Sequence, residues 1–333
     1  MEPLEKTDIR GNWATLLLPI AKNDAIDFSK LEDQLDFLIE TGVNGIYSNG
    51  TAGEFFNQTP HEFDQINELL ASKCQKAGMP FQIGCSHPDP METCRRIQRV
   101  LPLEPGAIQV ILPDWAPPSI KEVQFYLERL FDLAENLPVV LYNPPHAKKC
   151  LTIADYGALH DAGLLNRLAG LKVIGGDALW FDQIRQLSAK ISIFIPGHHL
   201  ASGIQKGASG AYSNMACLHP AVAQYWYELT KADMTEALAL EKRIRTWIET
   251  YIQPLLENNR FSNMAADKML AAIGGWSDTG TALRWPYIGF DPVLIGRLRQ
   301  TAETLIPEFF DAHLRAGKWK NKSIKAKETK HDQ

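Results

Sequence analysis

Leu168-Ala169-Gly170-Leu171-Lys172-Val173-Ile174 is an apolar run that carries one amine and closes on Gly175-Gly176. It reads as a buried strand. An ammonium ion is costly in such surroundings, so Lys172 is expected to be pushed towards its neutral, nucleophilic form. Upstream, Leu137-Pro138-Val139-Val140-Leu141-Tyr142 reads as a second strand ending in a phenol, followed by Asn143-Pro144-Pro145. A third, Gly42-Val43-Asn44-Gly45-Ile46-Tyr47, runs into Ser48-Asn49-Gly50-Thr51-Ala52-Gly53-Glu54, a loop rich in amides and hydroxyls.

Taken singly, each piece has an ordinary explanation. A lysine beside apolar residues is usually a snorkelling surface group, a terminal tyrosine packs, and a Gly-Thr-Ala-Gly segment is a turn. Their placement on successive strands is what carries weight. Outward from the Lys172 run, short apolar segments alternate with amphipathic ones. Strands are expected over 13–18, 45–47, 81–84, 107–112, 139–142, 169–173, 191–195 and 210–213. Helical stripes lie between them, as in 28–41 with Leu31, Leu35, Leu38 and Ile39, and in 120–135.

Eight such units predict an α/β fold, a closed (β/α)8 TIM barrel over 11–230 with functional groups at the C-terminal strand ends. The first strand-helix turn, Pro19-Ile20-Ala21-Lys22-Asn23-Asp24, lacks the glycine fingerprint of a dinucleotide fold. Helical runs over 231–256, 261–273 and 292–314 predict a C-terminal helical appendage, 231–315. The lysine-rich stretch 316–333 is expected to be a disordered tail.

The 333 residues, 45% hydrophobic and 22% charged with net charge -5, describe a globular chain without the basic face of a nucleic-acid binder. No apolar stretch is long enough to span a bilayer, and Met1-Glu2-Pro3-Leu4-Glu5-Lys6 does not resemble a secretory signal. The five cysteines include no C-x-x-C pair, so a reducing, cytoplasmic compartment is expected, without zinc or disulfides.

An electrophile-trapping amine, a phenol and an anion-cradling loop at three strand ends suggest Schiff-base chemistry on a 2-oxo acid, which needs neither cofactor nor metal. Lys172 is the expected nucleophile, Tyr142 the proton carrier and Thr51 the hydroxyl that links Tyr142 to the substrate carboxylate. The substrate carboxylate is expected on the backbone amides from Thr51 to Gly53, with Gly50 and Ala52 in the same cradle. Gly197-His198-His199-Leu200 directly follows the seventh expected strand. Adjacent histidines point in different directions, which leaves room for one to face substrate while the other packs or meets solvent. Ser213, after the eighth strand, and Trp115, after the fourth, are further candidate contacts.

The constellation Gly50-Thr51-Ala52-Gly53-Glu54, Tyr142-Asn143-x-Pro145 and Gly170-Leu171-Lys172 resembles the dihydrodipicolinate synthase / N-acetylneuraminate lyase family. The resemblance implies a class I aldolase barrel, a homo-oligomer (dimer or tetramer), with Lys172 as the Schiff-base lysine and Tyr142 as the relay. The chain departs from the family pattern at several places. Ala52 replaces a second hydroxyl residue, and Trp115 stands where the synthases place a second tyrosine. His146-Ala147-Lys148-Lys149 lacks the synthases' arginine, and Gly197-His198-His199-Leu200 lacks the acidic turn of sialic acid lyases. The expected function is therefore a carbon-carbon or carbon-oxygen lyase. The leading expectation is an aldolase that splits a 4-hydroxy-2-oxo acid into pyruvate and an aldehyde, or runs the condensation. The alternatives are a 2-keto-3-deoxy sugar acid dehydratase using the same iminium, and a non-catalytic 2-oxo acid-binding barrel.

Overall fold

A computed structural model describes residues 2–259 and 261–317. Among them, eight parallel strands close in sequence order: β1 (Gly11–Thr15), β2 (Gly45–Ser48), β3 (Phe81–Gly84), β4 (Ala107–Ile111), β5 (Val139–Tyr142), β6 (Leu168–Lys172), β7 (Ser192–Pro196) and β8 (Gly210–Tyr212). Closure happens where β1 meets β8, with Gly11 opposite Gly210. A Cβ on Gly210 would lie 2.1 Å from the Gly11 carbonyl oxygen, so the seam depends on the missing side chain.

Helices cover the barrel: α1 (Phe28–Thr41), α2 (Pro60–Ala77), α3 (Pro90–Val100), α4 (Ile120–Ala134), α5 (Ile153–Asp161), α6 (Ala178–Leu187), α7 (Leu200–Lys206), α8 (Asn214–Leu218) and α9 (Pro220–Ala232). Local sequence sets their ends. Asp27 accepts from the Lys30 amide at the start of α1, and Gly42 ends it in the left-handed conformation. Thr59 and Glu62 form a capping box on α2, as Ser119 and Glu122 do on α4. Leu31, Leu35 and Leu38 of α1 are fully buried against the sheet, each worth about 1.5–3 kcal/mol relative to exposure.

Several expected boundaries shift. The first strand stops at Thr15 instead of residue 18, because Gln34 of α1 captures the Leu17 backbone, accepting from its N–H at 2.8 Å and donating to its carbonyl at 3.0 Å. The eighth stops at Tyr212, since Ser213 turns to cap α8. The seventh runs one residue later, Ser192–Pro196. The helical run expected over 231–256 divides at Asp233, which ends α9 and caps α10 (Met234–Trp247). A π-helical turn, Ile248–Ile252, then leads into α11 (Gln253–Asn259).

α12 (Asn263–Gly274), α13 (Val293–Leu305) and α14 (Ala312–Arg315) follow. A 3-10 turn, Pro307–Phe310, separates the last two. α12 packs on α8, on α13 and on the 3-10 turn Thr51–Gly53, which places it over the C-terminal ends of the strands. The expected disordered tail lies, from residue 318 on, outside the described residues. No helix among the described residues is long and apolar enough to cross a membrane.

Candidate active site

Lys172 ends β6 opposite Tyr142 of β5 and Phe194 of β7. It is half-buried, recessed in the mouth of the barrel. Its Nζ lies 4.0 Å from the ring centroid of Tyr142, 4.9 Å from that of Tyr47 and 5.1 Å from that of Tyr212. Burial lowers the amine to about 7, against the opposing pull of Asp267 and Cys217. The amine is thus partly neutral at neutral pH, the form able to attack a carbonyl.

The three rings are themselves fixed. Tyr212 donates to Gln82 Oε1 at 2.6 Å, and its ring meets Tyr47 edge-on with centroids 4.9 Å apart. Tyr142 receives a hydrogen bond from Thr51 Oγ1 at 3.4 Å. Burial raises the Tyr142 phenol above its ordinary value, and the Thr51 contact works the other way. Lys172, Tyr142 and Thr51, proposed from three distant segments of sequence, therefore meet.

The Thr51–Gly53 turn is held from below and behind. Asn49 and Glu54, which flank it, both take positive φ, 53° and 50°. Asn67 accepts from Ser48 Oγ at 2.7 Å and from Asn49 Nδ2 at 3.1 Å, while Gln58 donates to the Gly53 carbonyl at 2.8 Å. Glu54 accepts from Lys268 Nζ at 2.7 Å and from the Arg284 amide at 3.0 Å. A Cβ on Gly50 would sit 2.7 Å from the Tyr47 ring, so the approach of loop to ring needs glycine there.

Within the turn the Gly53 N–H is spent on the Gly50 carbonyl at 3.0 Å. The amides of Thr51 and Ala52 have no acceptor among the described residues. The expected three-amide cradle is therefore reduced to two amides and the Thr51 hydroxyl, because the turn closes on itself.

The remaining candidates divide. His198 is held to Asn214 through its backbone N–H at 3.1 Å and its ring Nδ1 at 3.3 Å. Burial, with His199 beside it, lowers His198 to about 4, so the ring is neutral over the physiological range. The His199 ring is 4.3 Å away, and its electrostatic neighbours after burial are Arg245 and Lys206. Ser213 is committed to capping, accepting from the Ala216 amide at 3.1 Å. Trp115 is 88% exposed in the loop after β4, with Lys148 Nζ 5.0 Å above its ring, and no described contact joins it to Lys172.

Reading the sequence missed Asp267. It is half-buried on α12 and lies within electrostatic reach of Lys172, Tyr47, Tyr142 and Cys217. Burial raises its carboxyl to about 7, with Lys172 pulling the other way. The available signal was the charged pair Asp267-Lys268 inside the apolar stretch from Met264 to Ile273. Tyr47 and Tyr212 were legible as strand residues but not as walls of the site.

A closed parallel barrel with a weakly basic amine and a hydroxyl–phenol pair at its C-terminal mouth defines a (β/α)8 barrel enzyme. Residues 8–288 match the family described as the Dihydrodipicolinate synthetase family, and the chain belongs to it; it is a lyase-type enzyme of that family. An N-acetylneuraminate lyase of Escherichia coli is 28% identical over 207 residues, covering 61% of this chain and 68% of that protein. Solved structures share the fold. The Ruminococcus gnavus sialic acid aldolase superposes with a TM-score of 0.77 at 18% identity, over 90% of this chain and 98% of that one. YagE, a prophage protein of E. coli K12 belonging to the dihydrodipicolinic acid synthase family and solved with pyruvate, gives 0.77 at 20% identity, over 89% and 98%.

Proposed function

We propose that this chain is a Schiff-base lyase that splits a 4-hydroxy-2-oxo acid into pyruvate and an aldehyde, or joins the two. The observation that carries the reading is the Lys172 amine, lowered to about 7 within a ring of three tyrosines at the end of β6. The pyruvate named for the prophage neighbour supplies the ligand class carried over here.

In this reading the substrate carboxylate rests on the Thr51 and Ala52 amides, beside Gly50, and turns C2 towards Lys172. The amine attacks C2, water leaves, and the iminium draws electrons. Cleavage between C3 and C4 then leaves an enamine in place of a free carbanion. The C4 hydroxyl proton passes to Tyr142 as the phenol gives its own proton to Thr51, whose hydroxyl turns from donor to acceptor and hands its proton on to the substrate carboxylate. The same relay, reversed, protonates C3. A phenol kept protonated by burial suits a relay better than a standing base.

His198, neutral and fixed by Asn214, is the candidate for the distal half of the substrate, with the His199 ring 4.3 Å from it as the second candidate. Homo-oligomeric assembly as a dimer or tetramer, with Trp115 at or near a subunit contact, and a cytoplasmic location belong to the same proposal. The exposed Trp115, Phe125, Trp285 and Ile288 support the assembly. A panel of 4-hydroxy-2-oxo acids coupled to lactate dehydrogenase tests the reaction. Released pyruvate supports cleavage, whereas a new 2-oxo acid of full carbon length would replace it with dehydration.

A further inference from the structure

His198 and Asn214 meet across the seam between β7 and β8, on the rim of the barrel mouth. Pro196, the last residue of β7, stands opposite Tyr212, the last of β8, and the Tyr212 ring lies 5.1 Å from the Lys172 amine. His198 follows two residues after Pro196, in the turn Gly197–His199, and Asn214 two residues after Tyr212, at the start of α8. The two segments come this close because position 197 is glycine: a Cβ there would lie 2.4 Å from Ser213 Oγ and 2.9 Å from Asn214 Oδ1.

The contacts within the pair leave one placement of the ring proton. The His198 backbone N–H donates to Asn214 Oδ1 at 3.1 Å, which fixes the amide, since the flipped amide would set donor against donor. Asn214 Nδ2 then lies 3.0 Å from His198 Nδ1, closer than Oδ1 at 3.3 Å, and it can only donate. A hydrogen on Nδ1 would press against that N–H, so Nδ1 is the acceptor and the proton of the neutral ring sits on Nε2. Burial keeps the ring neutral over the physiological range, which removes the doubly protonated alternative. The other groups facing the ring are His199, Arg245 and Glu241. Glu241 accepts from the Ser202 amide at 3.0 Å and Arg245 pairs with Glu249. Among the described residues the Nε2 hydrogen has no acceptor.

We propose that Asn214 fixes His198 as a one-way hydrogen-bond donor through Nε2, and that His198 thereby selects substrates whose aldehyde-derived half carries an acceptor oxygen. The inference rests on the Schiff-base reading above and deepens it. A hydroxyl, ether or carbonyl oxygen can take the Nε2 hydrogen. An alkyl chain in its place covers the donor and leaves it unspent, and an ammonium group meets a second donor. His198 is the group that touches substrate, and Asn214 is the positioning residue that sets its tautomer.

The test has two arms, run once borohydride trapping has shown the pyruvate adduct in the wild-type chain. In the first, nitrogen-15-labelled protein is read by two-bond proton–nitrogen correlation of the histidine rings, with the His198 signals assigned by their loss in His198→Phe. Wild type should show a protonated Nε2 and a bare Nδ1. In Asn214→Asp, read at a pH where imidazole is neutral, the carboxylate should draw the hydrogen to Nδ1 and leave Nε2 bare. In the second arm, pyruvate is condensed with methoxyacetaldehyde or with butanal, which differ by an ether oxygen in place of one methylene. Wild type should favour the ether about fivefold in kcat/KM, as expected for one hydrogen bond, and the ratio should fall to about one in both variants. Circular dichroism and melting curves first establish that each variant is folded. A wild-type ring with Nε2 bare overturns the inference, as does a wild type that takes both aldehydes equally or takes neither, or a preference that survives in His198→Phe. In each of these cases the adduct leaves the Schiff-base reading standing. No adduct in the wild-type chain overturns that reading, and this inference with it.

Discussion

Lys268 donates to Glu54 across 2.7 Å with both side chains fully buried, tying α12 to the residue that ends the Thr51–Gly53 turn. The contact couples the appended helices to the mouth of the barrel. Removing one partner leaves a bare charge where no water reaches it. Lys268→Met should therefore cost about 3–5 kcal/mol of stability in urea unfolding, while Glu54→Gln combined with Lys268→Met should recover part of the loss.

Closure of the barrel rests on a backbone contact. Ala at position 210 would force its Cβ into Gly11, so Gly210→Ala should lower stability by about 1–3 kcal/mol or more, read as a fall in melting temperature.

The phenol and the amine should separate kinetically. Tyr142→Phe removes the relay but leaves Lys172, so the pyruvate adduct should still form while turnover of a cleavable substrate falls about 10²–10⁴-fold. Loss of the adduct itself would mean that Tyr142 supports Lys172 in place of moving protons.

The pH dependence follows from the direction of the Lys172 shift. Its folded value, about 7, lies below the ordinary lysine value of 10.5, so the reactive neutral form falls about tenfold for each pH unit below 7 and levels above it. The same shift means the unfolded chain binds the extra proton between 7 and 10.5. The Lys172 contribution to stability therefore rises with pH across that window and is lost as pH falls through 7. Initial rates of trapping against pH check the first statement.

Much of this was legible in sequence because strand periodicity exposes what it buries. Lys172 stood out as an amine in an apolar strand, and the alternation of segments was enough to place Tyr142 at the end of the neighbouring strand and Thr51 after the second strand, at the same end of the barrel. Strand ends were less legible where side chains from elsewhere intervene, as Gln34 does at Leu17. The π-helical turn Ile248–Ile252 leaves no mark in a hydrophobic stripe. Asp267 was invisible as a site residue for a different reason. It comes from an appended helix whose docking onto the mouth depends on tertiary contacts, above all Lys268 with Glu54, that no local pattern announces.

The most direct measurement is borohydride reduction of the wild-type chain in the presence of pyruvate, followed by intact mass and peptide mapping. The account predicts one pyruvate-sized adduct per chain, on Lys172, absent from Lys172→Ala. An unmodified chain, or an adduct on any other lysine, would contradict it.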